Sequence, residues 1–141
     1  MFMFTNILVP LDFTEGSRCA VNVAADLARQ HEAAITLIHV IETIDDADFM
    51  EIKDFYGKLE KKAMDTMDNI MAPLVESGLT VKQKIVFGNR AAQILQFATE
   101  RKIDLIVLSS HKINPAEPAK GWGTISHKVG LLSQCPVLLV K

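Results

Sequence analysis

The chain has only two cysteines, Cys19 and Cys135, in 141 residues. They lie far apart and form no CxxC pair, so neither a disulfide framework nor a thiolate metal knuckle is expected. Both are expected as reduced, buried thiols in a reducing compartment. Charge of one sign is equally scarce. Fifteen Lys and Arg against seventeen Asp and Glu leave a net charge of -2, and no basic stripe shows on reading along the chain. Electrostatic capture of nucleic acid is therefore not expected. Long apolar runs are missing too. The opening MFMFTNILVPLD reaches Asp12 too soon for a membrane span, and it has neither a basic leader nor a small-residue cleavage site. The expectation is a cytoplasmic protein that does not engage membranes.

The remaining composition is that of a folded domain. Hydrophobic residues make up 49 % and charged residues 23 %. A chain of this length buries roughly 70 % of the surface its unfolded form exposes, so one domain over 1–141 needs no staples.

Periodicity gives the element order. Ile7–Val9 is a short apolar run ending at Pro10 and Asp12, which reads as a buried strand. Thr14, Glu15 and Ser17 offer cap chemistry for a helix to about His31, with Ala20, Val23, Ala24, Leu27 and Ala28 at helical spacing. Ala34–Ile41 is a second strand, apolar except for Thr36 and His39. An acidic stretch, Glu42 and Asp45 to Asp48, leads into a long polar helix over roughly Phe49 to Ser77. Pro73 is expected to bend or end that helix, and Gly78 to stop it. Its Lys58, Glu60, Lys61 and Lys62 read as an exposed face with local ion pairs. Thr80–Phe87 alternates with Lys82, Gln83 and Lys84. Asn89 caps a helix with Ala91, Ala92, Ile94, Leu95 and Ala98 inward. Leu105–Leu108 is a fourth strand. A polar loop from Ser109 to Lys120 follows, then Gly121–Trp122–Gly123, a helix carrying Ile125, Val129, Leu131 and Leu132, and a last strand, Val137–Val140, opened by Pro136.

Strands alternating with helices imply an α/β, doubly wound parallel sheet with helices on both faces. Sheet edges are polar. The third strand is the polar one, so the predicted order of the five strands is 3-2-1-4-5. In that order the winding reverses between the first and fourth strands, and ligands of such sheets bind outside the strands' carboxyl ends at the reversal. Asp12 ends the first strand there, and Ser109–Ser110 end the fourth. The fifth strand would be an edge that is wholly apolar. An exposed apolar edge is a pairing surface, so a homodimer through Val137–Val140 is expected. The competing reading is that a loop of the same chain covers it.

At these residues the chain becomes recognisable. NILVPLDFTEGSRCAVNVAADLA, ITLIHVIE, IVFGNRAAQILQFATERKIDLIVLSSH and GTISHKVGLLSQCPVLLVK resemble the universal stress protein family along essentially the whole chain. The resemblance implies an adenine nucleotide alpha hydrolase-like fold. It also implies an aspartate after the first strand near the ribose and phosphates of ATP. A glycine-rich stretch, GxxGx9G[S/T], wraps the phosphates in that family. Here the first glycine falls on Ser109 and the second on Lys112. The Gly-Ser/Thr pair falls on Gly123–Thr124, and the intervening loop is one residue longer, with Pro115, Pro118 and Trp122 in it. Glycine permits positive φ and close backbone approach to phosphate. Ser109 retains an N–H and adds a hydroxyl, while Lys112 places a cation where phosphate charge would lie. Gly123–Thr124 stay at a helix N-terminus that favours an anion, with Lys120 near enough in sequence to help.

The candidate nucleotide-contacting set is therefore Pro10, Leu11, Asp12, Val40, Leu108, Ser109, Ser110, His111, Lys112, Gly123, Thr124 and Ile125. The implied ligand is ATP with Mg, or AMP. Asp12 is read as an acceptor for ribose hydroxyls or a holder of phosphate-bound metal, against a purely capping role beside Thr14. Val40 and Leu108 would wall an adenine pocket or simply belong to the core. His39 is expected to be a satisfied structural histidine, and Trp122 to close a loop rather than stack on a base. No His, Cys or carboxylate spacing suggests a protein metal site. No GxSxG elbow or triad order suggests a hydrolase, so no catalytic residue is assigned and any ATP turnover is expected to be slow. The implied role is stress-response regulation through a bound adenine nucleotide. The alternative is a dimeric interaction module that binds no nucleotide.

Overall fold

The computed structural model describes residues 3–43, 49–110, 116 and 124–141. Nine elements follow in the order β1 (Asn6–Pro10), α1 (Glu15–His31), β2 (Ala34–Ile41), α2 (Phe49–Glu76), β3 (Val81–Phe87), α3 (Arg90–Glu100), β4 (Leu105–Ser109), α4 (Ile125–Leu132) and β5 (Val137–Val140). The five strands form one parallel sheet in the order β3-β2-β1-β4-β5. The polar third strand lies at one edge and the apolar fifth at the other, as the strand polarity predicts.

Alternation along the central strands serves two cores. Ile7, Val9, Ile35, Leu37, Leu105 and Val107 face α1 and α2. Leu8, Ile38, Val40, Ile106 and Leu108 face α3 and α4. Both faces of β1 are thus dry, which explains why its run is continuously apolar. Each fully buried Ile or Leu in these layers contributes roughly 1.5–3 kcal/mol. Helix α1 meets the sheet with small residues, Ser17, Ala20, Ala24, Ala25 and Ala28, together with Val21. That stripe lets the helix lie close to β1 and β4.

Several expectations need correcting. Cys19 is exposed and Cys135 half-buried, because the buried stripe of α1 turns residue 19 toward solvent. Ala92 is exposed, since α3 packs through Ala91, Ile94 and Ala98. Pro73 does not end α2, which runs on to Glu76. A proline costs its turn one amide donor, but the Ser77 amide still donates to the Pro73 carbonyl. The helix closes instead at Gly78 (φ 94), where the Leu79 amide donates to the Leu74 carbonyl and the Gly78 amide to that of Val75. This double bond pattern around a left-handed residue is why Gly78 stops the helix. The ion pairs found among the described residues are Arg29–Asp26 and Arg90–Glu42, so Lys58, Glu60, Lys61 and Lys62 take part in none of them. Asp45, Asp46 and Asp48 lie outside the described residues. No helix among the described residues is long and apolar enough to cross a membrane.

Candidate functional site

The strand order brings the end of β1 beside the end of β4, and the turn after β1 is built from local hydrogen bonds. Asp12 Oδ1 accepts from the Thr14 amide (3.0 Å) and the Thr14 hydroxyl (2.6 Å). Thr14 in turn caps α1, its hydroxyl oxygen accepting from the Ser17 amide at 3.4 Å. Asp12 therefore orients the cap and is not itself the cap. An ionised carboxylate offers roughly four acceptor sites; Thr14 uses two, both on Oδ1, and Ser17 also acts on the group. Partial burial pushes the Asp12 carboxyl up, but hydrogen bonds from the Thr14 hydroxyl, the Thr14 amide and Ser17 outweigh it and hold the group below its usual value. Asp12 is exposed and ionised at neutral pH.

Phe13 links these two residues in a left-handed conformation, φ 64. A bulky side chain there costs roughly 1–2 kcal/mol. Its ring stacks on His39 at 4.2 Å and 24°, which returns roughly 0.5–1.5 kcal/mol. His39 Nδ1 lies 2.7 Å from the Leu11 carbonyl oxygen. A carbonyl only accepts, so Nδ1 carries the hydrogen and donates it. The Leu11 amide donates to the Ile38 carbonyl at 2.8 Å. His39 is thus the satisfied structural histidine expected, and it pins the turn that presents Asp12.

Desolvation lowers the pKa of His39 from 6.5, with the Arg90 charge acting in the same direction; the Leu11 bond and the Asp12 charge oppose. The folded state therefore binds this proton less readily than the unfolded chain does. Its contribution to stability is complete above the unfolded value of 6.5 and declines as pH falls below it, levelling once the folded group is protonated. Denaturant titrations from pH 8 downward are expected to show this loss, and His39→Gln to remove that step. An unchanged slope in the variant would assign the acid sensitivity elsewhere.

Beside Asp12 lies a small cavity of about 40 Å³, lined by Pro10, Leu11, Asp12, Ile38, Val40, Arg90, Ile94 and Ile125. Five members of the sequence-derived set meet there: Pro10, Leu11, Asp12, Val40 and Ile125. Leu108 does not. It is buried against the core on the α3 and α4 face. Arg90, Ile38 and Ile94 are lining residues that sequence reasoning missed. The usable signal was Asn89, whose side chain caps α3 by accepting from the Ala92 amide. A capped start at the carboxyl end of β3 puts residue 90 at the site. Arg90 also faces Glu42, with 3.9 Å between Nε and Oε1.

A cluster of hydroxyls stands at the N-terminus of α4. Thr124 caps the helix, its hydroxyl oxygen accepting from the His127 amide at 3.3 Å. Ser126 Oγ is 3.1 Å from both Thr124 Oγ1 and Ser110 Oγ. Lys141 Nζ donates to Ser110 Oγ at 3.3 Å. The register Ser109↔Val140 is what brings residue 141 beside residue 110, so Lys141 was invisible without the pairing. Ser109 abuts α1, where a Cβ at Gly16 would stand 3.4 Å from the Ser109 Cβ. His111, Lys112, Pro115, Pro118, Lys120, Gly121, Trp122 and Gly123 lie outside the described residues. No group of three His, Cys, Asp or Glu among the described residues is placed to hold a metal ion.

A family model described as the universal stress protein family matches residues 3–141. The universal stress protein YxiE of Bacillus subtilis is 28% identical to this chain, over 99% of this chain and 100% of its own length. The structure of the universal stress protein UspA from Lactobacillus plantarum superposes with a TM-score of 0.81 at 24% identity, covering 98% of each chain. A universal stress protein from Archaeoglobus fulgidus, solved in complex with dAMP, superposes at 0.70 with 16% identity and covers 100% of both chains.

Proposed function

The chain belongs to the universal stress protein family, and from that premise we propose that it binds an adenine nucleotide, ATP or AMP, at the carboxyl ends of β1 and β4. In this reading it is a cytoplasmic stress-response regulator. The observation that carries the reading is Asp12, an ionised carboxylate held with spare acceptor capacity beside an apolar cavity. Ribose hydroxyls donate to Asp12. Ile38, Val40, Ile94 and Ile125 supply apolar contact for the base, and Arg90 contributes a cation at the rim. The phosphates go to the N-terminus of α4, where the amides, the hydroxyls of Ser110, Thr124 and Ser126, and the Lys141 ammonium gather. His111, Lys112 and Gly123 complete the cradle in this reading. Ligand sites begin at roughly 300 Å³, so the cavity of about 40 Å³ beside Asp12 is the floor of a larger site.

Magnesium would arrive with the phosphates, as it usually does. The donor set fits that role: one carboxylate and several hydroxyls, without a protein metal cage. The role proposed is binding, with slow turnover at most. The relative solved with dAMP supports an adenine base in this fold.

The same reading includes a homodimer through β5. Leu138 is 40% exposed on this edge strand, and Leu131 and Leu132 on neighbouring α4 are 71% and 65% exposed. Those exposures favour a second reading as well, an interaction module without nucleotide, to which the serine and lysine at the motif glycines also point. Calorimetry separates the two. Folded, nucleotide-free protein titrated with Mg-ATP is expected to give saturable heat. No heat at roughly millimolar ligand, where even an interaction of about 4 kcal/mol registers, would leave the interaction module standing.

A further inference from the structure

The site above occupies the carboxyl ends of the strands and leaves the other half of the sheet unused. On the face covered by α3 and α4, an open groove of about 300 Å³ is lined by Asn6, Thr36, Lys82, Lys84, Phe97 and Arg101, among others. Strand alternation puts Lys82 and Lys84 on one face, roughly 6.6 Å apart along β3. The register Thr36↔Lys82 and Ile38↔Lys84 sets them beside β2. Arg101 comes from the end of α3, its guanidinium 5.6 Å from the centre of the Phe97 ring. Two segments distant in sequence thus contribute three cations, and no carboxylate lines the groove.

None of the three cations takes part in the ion pairs found among the described residues. Asp104 borders the groove through Asn6, but its oxygens accept from the Thr5 and Asn6 amides and the Thr5 hydroxyl. The local positive charge also runs against the net charge of -2. Lysines on an edge strand discourage unwanted pairing. That accounts for Lys82 and Lys84, but not for an arginine facing them across a groove that also carries Asn6 and Thr36.

We propose that this groove binds a compact anion bearing two or more phosphate groups, at a site separate from that of Asp12. Lysine supplies point charges for phosphate and arginine a planar fork of donors. The volume stands at the small end of ligand sites, which favours a compact ion. A nucleic acid would have to lay further backbone on a surface of net negative charge.

Inorganic tripolyphosphate tests this at low salt, followed by amide chemical shifts of the labelled protein. Saturable binding is expected, with shifts at residues 36, 82–84 and 101 that titrate separately from any at 109–110 and 124–126. The combined Lys82→Gln, Lys84→Gln, Arg101→Gln variant is expected to lose at least about tenfold in affinity. Shifts confined to 109–110 and 124–126, or a triple variant that binds unchanged, would overturn the proposal. So would a single-stranded RNA oligonucleotide that binds more tightly through the same residues. Should the triple variant not fold, the wild-type shift map decides alone.

Discussion

Asp12→Ala is expected to weaken Mg-ATP binding by roughly 10- to 100-fold. A hydrogen bond to a charged acceptor is worth about 1.5–3 kcal/mol, and about 1.4 kcal/mol is tenfold in affinity. Asp12 is ionised, exposed and beside the apolar cavity, so in the proposed mode of binding ribose hydroxyls lose their acceptor when it goes. The variant also removes the bonds that orient Thr14, which is expected to cost about 1 kcal/mol of stability in the manner of a lost cap. Asp12→Asn separates the two effects. It keeps an oxygen for the Thr14 amide while losing the charge, so stability is largely retained and affinity still falls. Calorimetry on variants checked by circular dichroism reads both quantities. Wild-type affinity in folded Asp12→Ala would reduce Asp12 to orienting a helix cap.

Leu138→Lys is expected to raise the dimer dissociation constant by about a hundredfold or more. An unpaired charge buried at an interface costs about 3–5 kcal/mol. In the isolated chain Leu138 is 40% exposed, so a lysine there can reach solvent and the monomer's own stability changes little. Val137 and Leu139 pack on the α3 and α4 face, and substitution there would confuse folding with association. Sedimentation equilibrium on wild type and variant makes the comparison. A wild type that stays monomeric at high concentration refutes pairing through β5. A variant that dimerises unchanged moves the interface to another surface.

The parts of the fold that were legible in the sequence are those where burial dictates composition. Strands buried on both faces must be apolar throughout, and β3, exposed at an edge, betrays itself by Lys82, Gln83 and Lys84. Strand order followed from that contrast, and the placing of β1 beside β4 followed from strand order. The Thr14 and Asn89 caps were legible because cap chemistry is local. What stayed hidden depends on register or on helix rotation. Lys141 reaches Ser110 only through the Ser109↔Val140 pairing. Arg90 enters the cavity because α3 starts above the sheet end. Arg101 faces Lys82 and Lys84 across a groove that no sequence window contains. Cys19 went astray for the same reason, since a helical cysteine has two sides of the helix to lie on.

The pairing of β1 carries a consequence for synthesis. Its partners are β2, close behind it in the chain, and β4, which begins at Leu105. Asp104, just before β4, binds the Thr5 and Asn6 amides across 99 and 98 positions of sequence. A chain emerging from the ribosome can therefore assemble β1, β2 and β3 well before β4 exists. During that interval Ile7 to Val9 form an open apolar edge. The most deeply buried strand of the finished protein is thus the one longest exposed to mispairing while it is made. The late arrival of residues 104–109 ends that period of risk.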